Sequence, residues 1–150
     1  MNTFSAHHLD QQDVVLLMAA GADGPFPLDP IRVMKGCFLV AQRGTAEWRT
    51  LFSFEPYDYG PFDASVYRAR DALIAREMLS VDRSVRHGAY SLTESGRERV
   101  ANLRRVIGDD GADWLRRIGQ YVTSKSFTDL LDEVYALYPE FATRSRYAQP

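Results

Sequence analysis

Hydrophobic positions along this chain recur mostly every three or four residues, the spacing of helices that bury one face. In LDQQDVVLLMAAGADG, Val14, Leu17 and Met18 share a face, with Asp10 as the N-cap and Gly21 as the stop. PLDPIRVMKGCFLVAQRG repeats the scheme: Asp29 caps, Pro30 takes the first turn, Ile31, Met34, Phe38 and Leu39 form the buried face, and Gly44 ends the run. TAEWRTLF adds a helical turn or two. Asp63 then caps a helix running to about Met78. LSVDRSVRHGAYSLT departs from helical spacing and reads as two short strands around a polar tip from Asp82 to Gly88. Thr93 caps a helix in TESGRERVANLRRVIG, and GADWLRRIGQYV sets Trp114, Ile118 and Val122 on one stripe. SFTDLLDEVYALYPEF opens on Ser126 and Asp129, a variant of the capping box, and stops before Pro139. RVIGDDGAD is the one linker-like break, and the chain carries no internal repeat.

The stretch FSFEPYDYGPFD crowds Glu55, Asp58 and Asp63 among aromatics and prolines. It has no neighbouring His, Cys or Lys to complete a hydrolytic or metal constellation, and Glu55 with Asp58 is a poor ligand set for a divalent cation. Asp63 is already engaged as a cap. Pro56 and Pro61 restrict the backbone, while Tyr57, Tyr59 and Phe62 are expected to pack under the helix start. The stretch therefore reads as a rigid brace for the following helix. This reading points away from an enzyme and calls for no metal and no cofactor.

On a helical wheel, Val66, Ala69 and Leu73 of that helix lie together, with Tyr67, Ile74 and Met78 on the adjoining side. Opposite them lie Ser65, Arg68, Ala72, Ala75 and Arg76. Two arginines among small residues make a surface able to enter a major groove, and Ser65 lies where free backbone N–H groups meet a phosphate. Taken alone, Arg68 and Arg76 read first as solvated charges on an exposed helix face. Arg83, Arg86 and His87 at the hairpin tip shift the balance, since together they could lie along a phosphate backbone. Arg97, Arg99, Arg104 and Arg105 are expected to divide between pairs with Glu94 and Glu98 and the outer rim.

Composition changes this picture little. The chain has 150 residues, 45% of them hydrophobic and 25% charged, enough for one ordinary globular domain. A single cysteine, Cys37, excludes an internal disulfide and suits a reducing cytoplasm; in CFLVA it reads as a buried, inert thiol. No apolar run reaches the roughly 20 residues that span a bilayer, and MNTFSAHHLDQQD lacks the layout of a secretion signal. His7 and His8 read as exposed terminal residues. Charge is informative in its distribution. The net value is −2, yet residues 64–105 hold nine arginines against five acids, a local +4.

The order helices, helix, two-stranded hairpin, helix is that of a winged helix-turn-helix, with the helix from Asp63 as recognition helix and VDRSVRHGAY as wing. LIAREMLSVDRSVRHGAYSLTESGRERV resembles a winged-helix motif at Leu73, Met78, Leu79, Tyr90, Leu92, Thr93, Gly96 and Arg97. It departs from it at Glu77, where the family often has glycine, so the turn is expected to be shaped differently. A narrower resemblance links YDYGPFDASVY, with MKGCFLVAQ upstream, to Panacea domains of antitoxins and proteolysis-linked adaptors. VYALYPEFATRS is similar to tails of related winged-helix proteins. The two resemblances cover about half the chain.

The expected architecture is mainly α with a small β-hairpin: a winged helix within residues 1–105, starting near residue 10, and a helical C-terminal extension over 106–150. The expected function is sequence-specific binding of double-stranded DNA in transcriptional regulation, through Ser65, Arg68 and Arg76 on the helix and Arg83, Arg86 and His87 on the wing. Trp114, Ile118, Val122, Leu130, Leu131, Val134 and Tyr138 offer apolar surface from which a homodimer through residues 111–141 is expected, with packing back on the first helix as the alternative. The Panacea resemblance implies the competing class, a protein-interaction module whose aromatic brace binds a toxin or an adaptor partner.

Overall fold

In the computed structural model, which describes residues 9–146, side-chain oxygens start all but one of the helices. Asp10 caps α1 (Gln11–Ala19) and exchanges reciprocal bonds with Asp13. Asp29 caps α2 (Pro30–Arg43), Thr45 the short α3 (Ala46–Arg49), and Asp63 α4 (Ala64–Ala75). Thr93 caps α5 (Glu94–Ile107) and Ser126 caps α7 (Phe127–Leu137). Each cap satisfies a backbone N–H that the helix itself leaves without a partner. The exception is α6 (Asp109–Thr123), which follows α5 across Gly108 alone. The linker-like break of the sequence is thus a single-residue joint. A 3-10 turn, Pro139–Ala142, closes the described chain. His7 and His8 lie outside the described residues.

Two antiparallel hairpins accompany the helices, not one. The expected pair forms from β3 (Leu79–Asp82) and β4 (Ala89–Leu92), with Val81 opposite Tyr90. The other, β1 (Glu55–Tyr57) and β2 (Gly60–Phe62), lies where the sequence suggested only a stiff loop. Packing beneath the helix start also proves different from expectation. Tyr57 and Tyr59 are 44% and 47% exposed; Tyr57 stacks on Phe62 at 4.9 Å, Phe62 meets Tyr67 of α4 edge-on at 5.7 Å, and Tyr59 meets Phe127 instead at 6.1 Å.

Helix α2 runs through the centre of the molecule. Every residue from Arg32 to Val40 is buried, so the single apolar face expected of it is an underestimate. α6 lies against both α1 and α2. Gly119 permits that approach, because a Cβ there would stand 1.8 Å from the Met18 carbonyl oxygen. The C-terminal helices therefore share one core with the rest of the chain. Val122, Leu130, Leu131 and Val134 are all 1% exposed or less, so these residues of the expected dimer surface are already covered within the protomer. Trp114 packs beside Trp48 at 6.0 Å, and the Tyr138 ring meets Phe38 edge-on at 5.2 Å while its hydroxyl accepts a bond from Arg43. Ile118 remains half-buried.

Helix α4 ends earlier than expected, at Ala75, in a left-handed turn. Glu77 adopts φ 59°, the conformation for which glycine is ordinarily used. The Met78 N–H bonds to Leu73 O at 2.9 Å and the Glu77 N–H to Ile74 O at 3.0 Å, the paired bonds of a Schellman stop. The Thr93 hydroxyl then donates to Glu77 O at 2.6 Å and its N–H to Met78 O at 3.1 Å. The glutamate departs from the motif in residue type but keeps its backbone geometry, held there by the cap of α5.

Candidate nucleic-acid interface

The start of α4 is fixed by a small polar network. The Asp63 carboxylate accepts from Ser53 N, Ser65 N and the Ser65 hydroxyl at 2.7, 2.9 and 2.7 Å. Burial alone would raise its pKa; these bonds and the nearby Arg68 outweigh it and hold the carboxyl below the usual range. Ser65 also accepts from Gln11 Nε2 at 2.8 Å, and Gln11 reaches on to Leu51 O. The expected phosphate-facing hydroxyl is therefore committed to helix capping, which leaves Arg68 as the open group of this end. Arg68 is exposed beside a groove of about 340 Å3 that it shares with Asp10, Gln11 and Gln12.

Farther along α4, Arg76 is exposed and its guanidinium donates to Gln12 of α1. Asp71, also exposed, puts a negative charge on this helix surface that the helical wheel left out. It pairs with Arg70, Nε to Oδ1 at 2.8 Å. Arg70 itself escaped the sequence reading. It lies over the Tyr67 ring at 4.4 Å and donates to the Tyr90 hydroxyl at 3.1 Å, so it joins α4 to the wing. Tyr90 N–H in turn bonds Leu28 O at 2.8 Å, fastening β4 to the segment before α2.

At the wing tip, the Ser84 hydroxyl and N–H both donate to Asp82 Oδ1, at 2.6 and 3.0 Å, and hold that carboxyl below its usual range. Arg83, Arg86 and His87 are exposed. Neither arginine makes a hydrogen bond or ion pair to another described residue, and Arg68 makes none either. Most other arginines are bound. Arg99 pairs with Asp13 of α1 at 3.1 Å, and Arg104 with Asp109 and Asp113 of α6 at 3.2 and 2.8 Å. Arg97 donates to Leu92 O and Arg105 to Asn102. In place of the expected pairs with Glu94 and Glu98, Arg99 and Arg104 link α5 to α1 and α6, on which it packs, while Arg97 and Arg105 bond locally.

Two buried groups lie beneath this surface. Cys37 is fully buried, and burial together with the Asp63 charge pushes its thiol far up. Lys35 is 2% exposed and donates to Pro61 O at 3.3 Å. Burial lowers its ammonium to about 7. A lysine inside the apolar run VMKGCFLVA was the sequence signal for it. Among the described residues no group of three or more His, Cys, Asp or Glu could hold a metal ion, and no helix is long and apolar enough to cross a membrane.

No family model, curated protein or solved structure matches this chain.

Proposed function

We propose that the protein binds double-stranded DNA, with α4 presented to the major groove and the β3–β4 wing laid along a phosphate backbone. The observation that carries this reading is the allocation of arginines. Where α5 ties its arginines into the molecule, Arg68, Arg83 and Arg86 stand exposed on α4 and the adjoining hairpin without a hydrogen-bonded or ion-paired partner among the described residues. Phosphates supply the affinity that such uncommitted cations offer, and base edges supply selectivity. Arg68 is the base-reading candidate. Arg76 joins it by exchanging Gln12 for a base, and Ser65 acts indirectly, by fixing the start of the helix. Recognition of a preferred sequence, and through it control of transcription, is the finer part of the proposal. Binding of the full chain to random duplex at low salt tests it; no binding would remove it.

One observation favours a second reading. Tyr57 and Tyr59 are exposed on a hairpin, an aromatic pair suited to docking a protein such as a toxin. In that reading the duplex does not bind at low salt, and replacing both tyrosines abolishes capture of the partner.

A further inference from the structure

Between the two hairpins lies a cleft of about 700 Å3, which shares Arg86 and His87 with the DNA reading and whose remaining lining that reading does not use. Its size falls in the range of small-molecule sites, about 300–1,000 Å3. Tyr59 from the first hairpin, Phe127 from the start of α7 and Ile31 from α2 line it, with Tyr67 of α4. Tyr59 and Phe127 stand edge to face at 6.1 Å. Arg86 and His87 of the wing tip contribute the polar side.

The charge of this lining is positive in effect. Asp29 is its acid, but that carboxylate already accepts from Arg32 Nη1 at 2.7 Å and caps α2 through Arg32 N at 3.1 Å. The Tyr67 hydroxyl is turned to Pro30 O. Arg86 and His87 form no hydrogen bond or ion pair with the described residues. One helical turn further along α2 is the buried Lys35. Lys35 follows Ile31 by four residues as Leu131 follows Phe127, and both deeper residues meet beneath Gly60, the neighbour of Tyr59. A Cβ on Gly60 would stand 2.7 Å from Lys35 Cε and 3.2 Å from Leu131 Cδ2.

We propose that this cleft binds a small aromatic carboxylate, its ring laid against the edge-to-face pair of Tyr59 and Phe127 and its carboxylate on Arg86 and His87. A cationic ligand would be repelled at the rim, and a neutral one would leave the guanidinium without an anion. An inorganic polyanion would make no use of the aromatic lining. Arg86 is shared with the proposed duplex surface, so a bound acid withdraws it from phosphate and opposes DNA binding. This regulatory half rests on the DNA reading above; the binding half does not.

Calorimetric titration of the full chain with 1-naphthaleneacetate and with its neutral amide, in the absence of DNA, tests the cleft. The acid is expected to bind roughly tenfold tighter than the amide, a difference of about 1.4 kcal/mol. Arg86→Ala and Tyr59→Ser, both at exposed positions, are each expected to weaken the acid by a similar factor while leaving the circular dichroism spectrum unchanged. Equal affinity for acid and amide, no saturation at millimolar acid, or indifference to both substitutions would overturn the site. In a parallel duplex titration the acid should release DNA from the wild type at roughly tenfold lower concentration than from Tyr59→Ser. Acid binding without any duplex binding would sink the DNA reading and uphold the cleft. Duplex binding without acid binding would do the reverse.

Discussion

Arg70 Nη1 donates to the hydroxyl of Tyr90 at 3.1 Å, and this bond makes helix α4 and the wing one unit. The same guanidinium lies 4.4 Å from the Tyr67 ring centroid and 5.8 Å from that of Tyr90. The proposed DNA contact requires helix and hairpin to keep a fixed spacing, and a planar cation between two phenols provides it.

Arg70→Ala should therefore cost about 1–3 kcal/mol of stability, from one charge-assisted bond and the missing stacking. Arg70→Lys should recover little of it, because an ammonium offers no flat face to the rings. Urea denaturation of both variants measures this. Duplex affinity should fall with Arg70→Ala under conditions where the variant remains folded. Unchanged duplex affinity would show that the wing acts independently of α4.

Glu77 stands at φ 59° without the glycine that this backbone favours. Glu77→Gly should stabilise the protein by roughly 0.5–1 kcal/mol, since a non-glycine residue in this region is held against its own preference. A lower midpoint in chemical denaturation would mean that the glutamate side chain contributes more than its backbone costs.

Lys35 yields a pH dependence with a definite sign. Its ammonium titrates near 10.5 when unfolded and about 7 when folded. Between these values the unfolded chain holds a proton that the folded chain does not, so this group's contribution to stability rises with pH across that window. Lys35→Met removes the burden and should stabilise the protein at pH 7 by about 1–3 kcal/mol, less the missing bond to Pro61 O. The advantage over wild type should shrink as pH climbs toward 10.5. Thermal denaturation of both proteins at several pH values provides the comparison; an advantage that grows with pH would contradict the assignment.

Local chemistry made much of this fold legible. Asp10, Asp29, Asp63, Thr93 and Ser126 all cap where the sequence placed them, because a cap needs only its own residue and the next turn. The second hairpin was legible for the same reason, as β3 and β4 flank a short polar tip. The first hairpin was not. Each strand has three residues, and Pro56 opposite Pro61 removes the N–H groups and the alternation that would have announced it. The fate of each cation was also hidden. Arg70 meeting Tyr90, Arg99 meeting Asp13 and Lys35 lying under Gly60 join residues distant in sequence, which periodicity does not report. The apolar stripe of α6 was visible, but whether it covered α1 or a second copy depended on Gly119 admitting Met18.

The most direct test of DNA binding is the salt dependence of duplex affinity for wild type, Arg83→Ala, Arg86→Ala and Arg68→Ala, on random and selected duplexes. Each wing substitution should weaken both duplexes alike and reduce the logarithmic salt slope by roughly 0.9, because one phosphate is no longer neutralised. Arg68→Ala should instead cost about 1–3 kcal/mol on the selected duplex and far less on the random one. A wild type that binds neither duplex at low salt, or slopes that none of the substitutions changes, would contradict DNA binding through this surface.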